Sequence, residues 1–180
     1  MPSSPPVYQL KVTLLGTQPP VWRRFRVYSD ITFRDLHNIL QIVMGWENYH
    51  LYQFSLGSHQ FIEPQMGAGG KPVTHRLDEF VQHEGAVLGY EYDFGDSWHH
   101  EIILEKILTY TRKPCPICTH GSRACPPEDS GGVWGYQELV AAMKRRKGHQ
   151  YREYVEWLGG PFDPKAFDID DVNGMLADFQ

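Results

Sequence analysis

The sequence predicts an α+β fold: a single domain with an antiparallel or mixed β-sheet curved around a central helix, followed by a helical C-terminal part. Three observations carry that expectation. Apolar and polar residues alternate with a period of two at several places before residue 108, the mark of half-buried strands. One helical stripe stands between those alternations at 32–45, and the last third of the chain repeats the helical spacing. With 180 residues and 41% hydrophobic content the chain can bury one full core, whereas two domains would each be small. The expected organisation is therefore one domain, with residues 7–108 as sheet and helix, 109–134 as a Cys/Pro/Gly loop and 135–180 as the helical part.

Taken in order, Tyr8, Leu10, Val12 and Leu14 alternate with polar residues, and after the turn signal GTQPP the residues Val21, Phe25 and Val27 oppose Trp22, Arg24 and Arg26. The pair reads as an antiparallel hairpin. Thr32 offers an N-cap with Asp35 three residues on, and Phe33, Leu36, Leu40, Val43 and Met44 form a stripe ending at Gly45. His50, Tyr52, Phe54 and Leu56 alternate again, HQFI is a short partner strand, and THRLDEFV has the composition of two helical turns. VLGYEYDFGDSWHHEIILEKIL is the strongest β signal. A two-residue turn at Gly95-Asp96 would place Asp93 opposite Trp98, Tyr92 opposite His99 and Glu91 opposite His100, so that two acids and an imidazole share one face. Helices are expected over GYQELVAAMKRRK, over QYREYVEWLGG, and from starts at Asp163-Pro164 and Asp168 toward Val172, Leu176 and Phe179.

Seventeen Lys and Arg against 22 Asp and Glu give a formal charge of -5, which excludes a surface that is a nucleic-acid footprint throughout but leaves room for a basic patch. No apolar run approaches the roughly 20 residues of a membrane span, and the first residues lack the pattern of a signal peptide, so a cytoplasmic protein without a membrane partner is expected.

Five ordered phrases, PPVWRR, MGWENYHLYQF, YDFGDSWHHEIILE, RACPPEDSGG and WLGGPFDPKAFDIDDVN, resemble the pRiA ORF-three-like plasmid protein family, whose members carry transposon-passenger or TnpR-like labels. The likeness runs over about residues 7 to 173 and implies an α+β domain of unsettled role. The chain departs from the family pattern at Ser130, where PPEDCGG often has a cysteine. No serine-arginine recombinase arrangement can be picked out.

Three groups of residues could carry chemistry. Cys115, Cys118 and Cys125 supply three of the four ligands of a tetrahedral zinc or other divalent-metal site, with His100 or, alternatively, His120 as the fourth; the competing reading makes them small buried residues of a proline-stiffened loop. Asp93, Asp96, His100, Glu128 and Asp129 form a set suited to general acid–base work or to cation binding, against which Asp129 is read as a turn cap. Arg23 and Arg24, and Lys144, Arg145 and Arg146, are two basic clusters that could contact nucleic acid or simply face solvent. Trp46, His50, Trp98 and Trp134 are candidates to line a pocket. Two functions are thus expected of this mobile-element-associated domain: a binding module with a polar, metal-competent site and a nucleic-acid or protein partner, or a metal-dependent, hydrolase-like enzyme. All of this requires the turn near residue 95 to meet the proline-rich coil.

Overall fold

Eight strands and four α-helices make up the fold in a computed structural model that describes residues 5–67, 69–109 and 114–179. The hairpin β1 (Val7–Leu14) and β2 (Val21–Tyr28) is followed by α1 (Phe33–Met44), the short strands β3 (Tyr52–Leu56), β4 (His59–Ile62) and β5 (Lys71–Pro72), and the long ribbon β6 (Val87–Tyr92) and β7 (Trp98–Leu108). Strand β8 (Ile117–Ser122) precedes α2 (Gly132–Arg145), α3 (His149–Trp157) and α4 (Ile169–Ala177). The sheet is mixed and open, in the order β5-β4-β3-β6-β7-β1-β2-β8, with β4 and β5 its one parallel pair among the described residues. Among them, no helix is long and apolar enough to cross a membrane.

Helix α1 forms where its sequence demands. Thr32 and Asp35 close a reciprocal capping box, satisfying backbone donors that the first turn cannot, and Gly45 ends the helix in the left-handed region at φ 88°. Its buried stripe of Phe33, Leu36, Ile39, Leu40 and Val43 packs into the core with Leu10, Val12, Phe25, Phe54, Phe61, Leu88 and Leu104 from the sheet. Phe33 stacks on Phe61 at a centroid distance of 3.8 Å. Each such side chain contributes about 1.5–3 kcal/mol when fully buried, so this face is the main source of stability.

Four expectations are corrected. Residues 117–122, placed within a loop, pair with β2, because the alternation of Cys118 (buried) between more exposed neighbours suits a strand edge. THRLDEFV makes a single 3₁₀ turn at Leu77–Glu79, and Asp163 nucleates a turn in which its Oδ1 accepts from Lys165 N at 2.9 Å; Asp168 alone caps a helix, α4. The β6–β7 register also differs by one residue: Tyr92 faces Trp98, Glu91 faces His99 and Tyr90 faces His100. The turn takes five residues instead of two, since Asp93 adopts φ 56°, accepts Gly95 N on Oδ1 at 2.9 Å and receives Ser97 N on its carbonyl. Asx-turn chemistry at Asp93 thus outcompetes the tighter turn, and every side chain of β7 changes sides.

That shift sends His100 inward with Trp98, Ile102 and Leu104 and leaves His99 and Glu101 outside. The side-chain amide of Asn173 on α4 accepts from Cys118 N at 2.8 Å and donates to Cys118 O at 3.0 Å, seating α4 along β8.

Candidate metal centre at the turn end of the sheet

β3 and β6 pair antiparallel with Tyr52 opposite Tyr92, so the residue preceding β3 and the residue following β6 become neighbours. Asp93 N donates to Leu51 O at 2.9 Å, and His50 follows on the same end of the sheet. Its Nε2 lies 3.7 Å from Asp93 Oδ2.

A third segment closes on this pair. The coil before α2 docks through Trp46, whose Nε1 donates to Pro126 O at 3.0 Å while its ring stacks on Tyr92 at 4.7 Å. Glu128 Oε1 then accepts from Glu47 N and from the Tyr92 hydroxyl, both at 2.9 Å. On the far side Asp96 Oδ2 accepts Gly131 N at 2.9 Å. A Cβ at Gly132 would stand 2.7 Å from Asp96 O, which together with φ 67° explains the glycine. The turn and the proline-rich coil therefore meet as the sequence requires.

His50 Nε2 ends 3.2 Å from Asp129 Oδ1 and 3.8 Å from Glu128 Oε2, besides Asp93. His50, Asp93 and Asp129 form the one group of three potential ligands, among the described residues, whose donor atoms all lie within 4.8 Å of one another. Two atoms here are shut away from solvent and have no hydrogen-bond partner: His50 Nε2 and Glu128 Oε2. Asp93 is 6% exposed, whereas the Asp129 side chain is 69% exposed, so the corner is buried on one side and open on the other. Tyr49, Leu51, Phe94 and Trp134, all exposed, belong to the segments that form this corner.

The loop carrying His50 is held from beneath by a buried network. Gln41 Nε2 donates to the Tyr90 hydroxyl at 3.1 Å, and that hydroxyl donates to His37 Nδ1 at 2.8 Å. His37 Nε2 then donates to Asn48 Oδ1 at 2.7 Å, and Asn48 N donates to Gln41 Oε1 at 2.9 Å. The network assigns His37 the neutral Nε2–H tautomer. Burial pushes its pKa down to about 4, the Asn48 bond opposing.

The other candidates fall elsewhere. His100 is in the core, its Nδ1 near Tyr90 O at 3.2 Å and its ring edge-on to Trp46; burial lowers it to about 4. It joins neither the acids nor the cysteines. Cys115, Cys118 and Cys125 make no group of three ligands with each other, His100 or His120. Cys118 Sγ instead donates to Arg24 O or His120 O at 3.5 Å, and burial raises all three thiols. Nor does Arg23 reach solvent: the alternation that buries Val21 and Phe25 buries it too, and it donates to the carbonyls of Val43, Trp22, Ser122 and Arg123. Arg24 is held by Glu105 at 2.6 Å and Arg145 by Gln150 at 2.7 Å. Trp98 is fully buried, Trp46 braces the coil, and Trp134 is 81% exposed.

The place of His50 beside Asp93 and Asp129 was not legible in the sequence. It depends on β3 pairing with β6 across more than thirty residues of intervening chain, which local alternation does not reveal.

An open mixed sheet with a helix on its inner face and an acid–imidazole corner at the ends of β3 and β6 defines the class: an α+β domain. The profile of the plasmid pRiA4b ORF-3-like proteins matches residues 6–171, and the chain belongs to that family. It is 37% identical over 177 residues to the uncharacterized protein y4hQ of Sinorhizobium fredii, covering 96% of this chain and 91% of that one. A crystal structure of a protein of unknown function, MM3350, from Methanosarcina mazei Go1 is similar in fold, with a TM-score of 0.82, 38% identity, and coverage of 92% of this chain and 97% of that chain.

Proposed function

We propose that the protein binds one divalent metal ion at His50, Asp93 and Asp129. The single observation that carries this reading is the convergence of three ligand atoms from separate segments, one of them a solvent-excluded imidazole nitrogen that lacks a hydrogen-bond partner. Two ligand atoms each about 2.1 Å from a common ion stand roughly 3.0–3.4 Å apart, close to the 3.2 and 3.7 Å spacings around His50 Nε2. One imidazole with carboxylates suits zinc, manganese or ferrous iron better than a soft, thiolate-seeking ion.

A second reading, a metal-dependent hydrolase, is favoured by Glu128. Its Oε1 is fixed by Tyr92 and Glu47, while Oε2 is buried, free and directed at His50 from outside the three-ligand group. That is the placement of a general base for a metal-bound water, whose proton it would take as the oxygen attacks. The exposed face at Asp129 would leave a bound ion open to water and substrate on that side.

Elemental analysis of the full chain purified without a chelating tag, with calorimetric titration of zinc and manganese, tests the first reading. Stoichiometric metal lost in His50→Ala supports it, and metal-free protein that takes up neither ion overturns it. The second is tested on ester and phosphoester substrates: Glu128→Gln should abolish metal-dependent turnover while leaving metal content intact, and equal turnover would remove Glu128 from the chemistry.

A further inference from the structure

At the opposite end of α2 lies a cleft of about 920 Å³ between α2, α3 and the 161–165 turn. Four cations line it: Arg123 from the end of β8, Lys144 and Arg146 from the end of α2, and Lys165 from the turn. None of the four has a carboxylate within 4.0 Å among the described residues. The one acid of the lining, Asp163, already accepts the backbone N–H of Lys165 on Oδ1.

A helix C-terminus attracts cations by itself, which accounts for Lys144 and Arg146. It does not account for Arg123 and Lys165, which come from segments outside any helix. Their convergence in a chain of net charge -5 is a local reversal of sign, and like charges gathered without counterions call for an anion. The rest of the lining is apolar: Val140 and Met143 on α2, Phe162 set edge-on to Tyr136 at 6.2 Å, and the half-buried ring of Tyr151 on α3, which enters no aromatic pair inside the cleft. Cations beside a free aromatic face recognise a phosphate joined to a flat, stackable group, and the volume lies within the range of small-ligand sites.

We propose that this cleft binds a nucleotide unit, its phosphate on Arg123, Lys144, Arg146 and Lys165 and its base against Tyr151, presented as a free mononucleotide or as a link of single-stranded nucleic acid. The site is independent of the metal corner.

The test uses the full chain and a fluorescent single-stranded oligothymidylate of about eight nucleotides at about 50 mM salt, followed by anisotropy, with AMP titrated in parallel by calorimetry. Lys144→Ala with Arg146→Ala should weaken binding about tenfold or more and lower the salt slope by about two. Tyr151→Ala should weaken it several-fold and Tyr151→Phe should restore it, since stacking needs the ring and not the hydroxyl. Arg145→Ala, whose guanidinium is held by Gln150, should leave binding unchanged. AMP binding with competition assigns the free nucleotide as source; oligonucleotide binding without it assigns the strand. Three results overturn the proposal: neither probe binds, binding survives the Lys144/Arg146 double change, or polyglutamate competes as well as the oligonucleotide while Tyr151→Ala has no effect. Thermal melts of each variant separate lost binding from lost fold.

Discussion

The two ends of α2 differ in the way they are assembled. At its N-terminus, residues from three segments far apart in sequence, 46–50, 93–96 and 126–131, converge because β-pairing brings them together. At its C-terminus the cleft draws mainly on neighbouring helices and turns between 140 and 165. The charges follow the helix dipole: Asp96 accepts the N-terminal Gly131 N–H, while Lys144 and Arg146 sit at the carbonyl end. Fourteen helical residues at about 1.5 Å each keep the two regions roughly 20 Å apart, so that a change at one should leave the other untouched.

The largest expected effect breaks the acidic end alone. His50→Ala combined with Asp93→Asn should weaken zinc or manganese binding by more than about 100-fold, beyond the 10–100-fold that follows loss of a supporting hydrogen bond, with oligonucleotide binding unchanged. Calorimetry on both ligands checks it, and parallel losses would mean that the ends are coupled.

Acid comes next. His37 and His100 have pKa values near 4 because burial disfavours their charged forms, whereas in the unfolded chain each titrates near 6.5. The unfolded state therefore binds more protons as the pH drops, so stability is complete above about 6.5 and falls progressively toward pH 4, by about 3 kcal/mol per histidine. Urea denaturation at a series of pH values reads this directly, and a flat profile would contradict the buried neutral network. Because protonated His37 can no longer accept from the Tyr90 hydroxyl, the loop carrying His50 should loosen before the cleft does.

Tyr92→Phe has a smaller effect. It removes the hydroxyl that orients Glu128 and should lower any metal-dependent turnover by about tenfold, with little change in metal content or melting temperature. The smallest belongs to Asp96→Ala, which deprives Gly131 N–H of its acceptor and should cost about 1 kcal/mol in urea denaturation.

Local chemistry made much of the fold legible. The capping box at Thr32 and Asp35, the stripe that follows and the stop at Gly45 all act within a few residues of each other, and α1 forms as they dictate. The turn at 93–97 shows the limit of such reasoning. Gly95-Asp96 resembles a tight hairpin, yet Asp93 supplies its own acceptor to Gly95 N, and the one-residue consequence carries His100 from an expected site into the core. Of the candidate acids, Asp93, Glu128 and Asp129 converge, while Asp96 braces α2. The thiols drew attention because C-x-x-C spacing is a metal signature, but that signature needs a loop free to turn its sulfurs inward, and Cys118 is fixed in a strand.

The Asn173 amide, which meets both backbone groups of Cys118, stands where another strand would otherwise attach. An outermost strand with bare N–H and C=O groups invites pairing between molecules, and a carboxamide imitates one peptide unit of that missing neighbour without offering a further ladder. Asn173→Ala would leave β8 unguarded, so self-association that grows with protein concentration is the outcome to look for by light scattering.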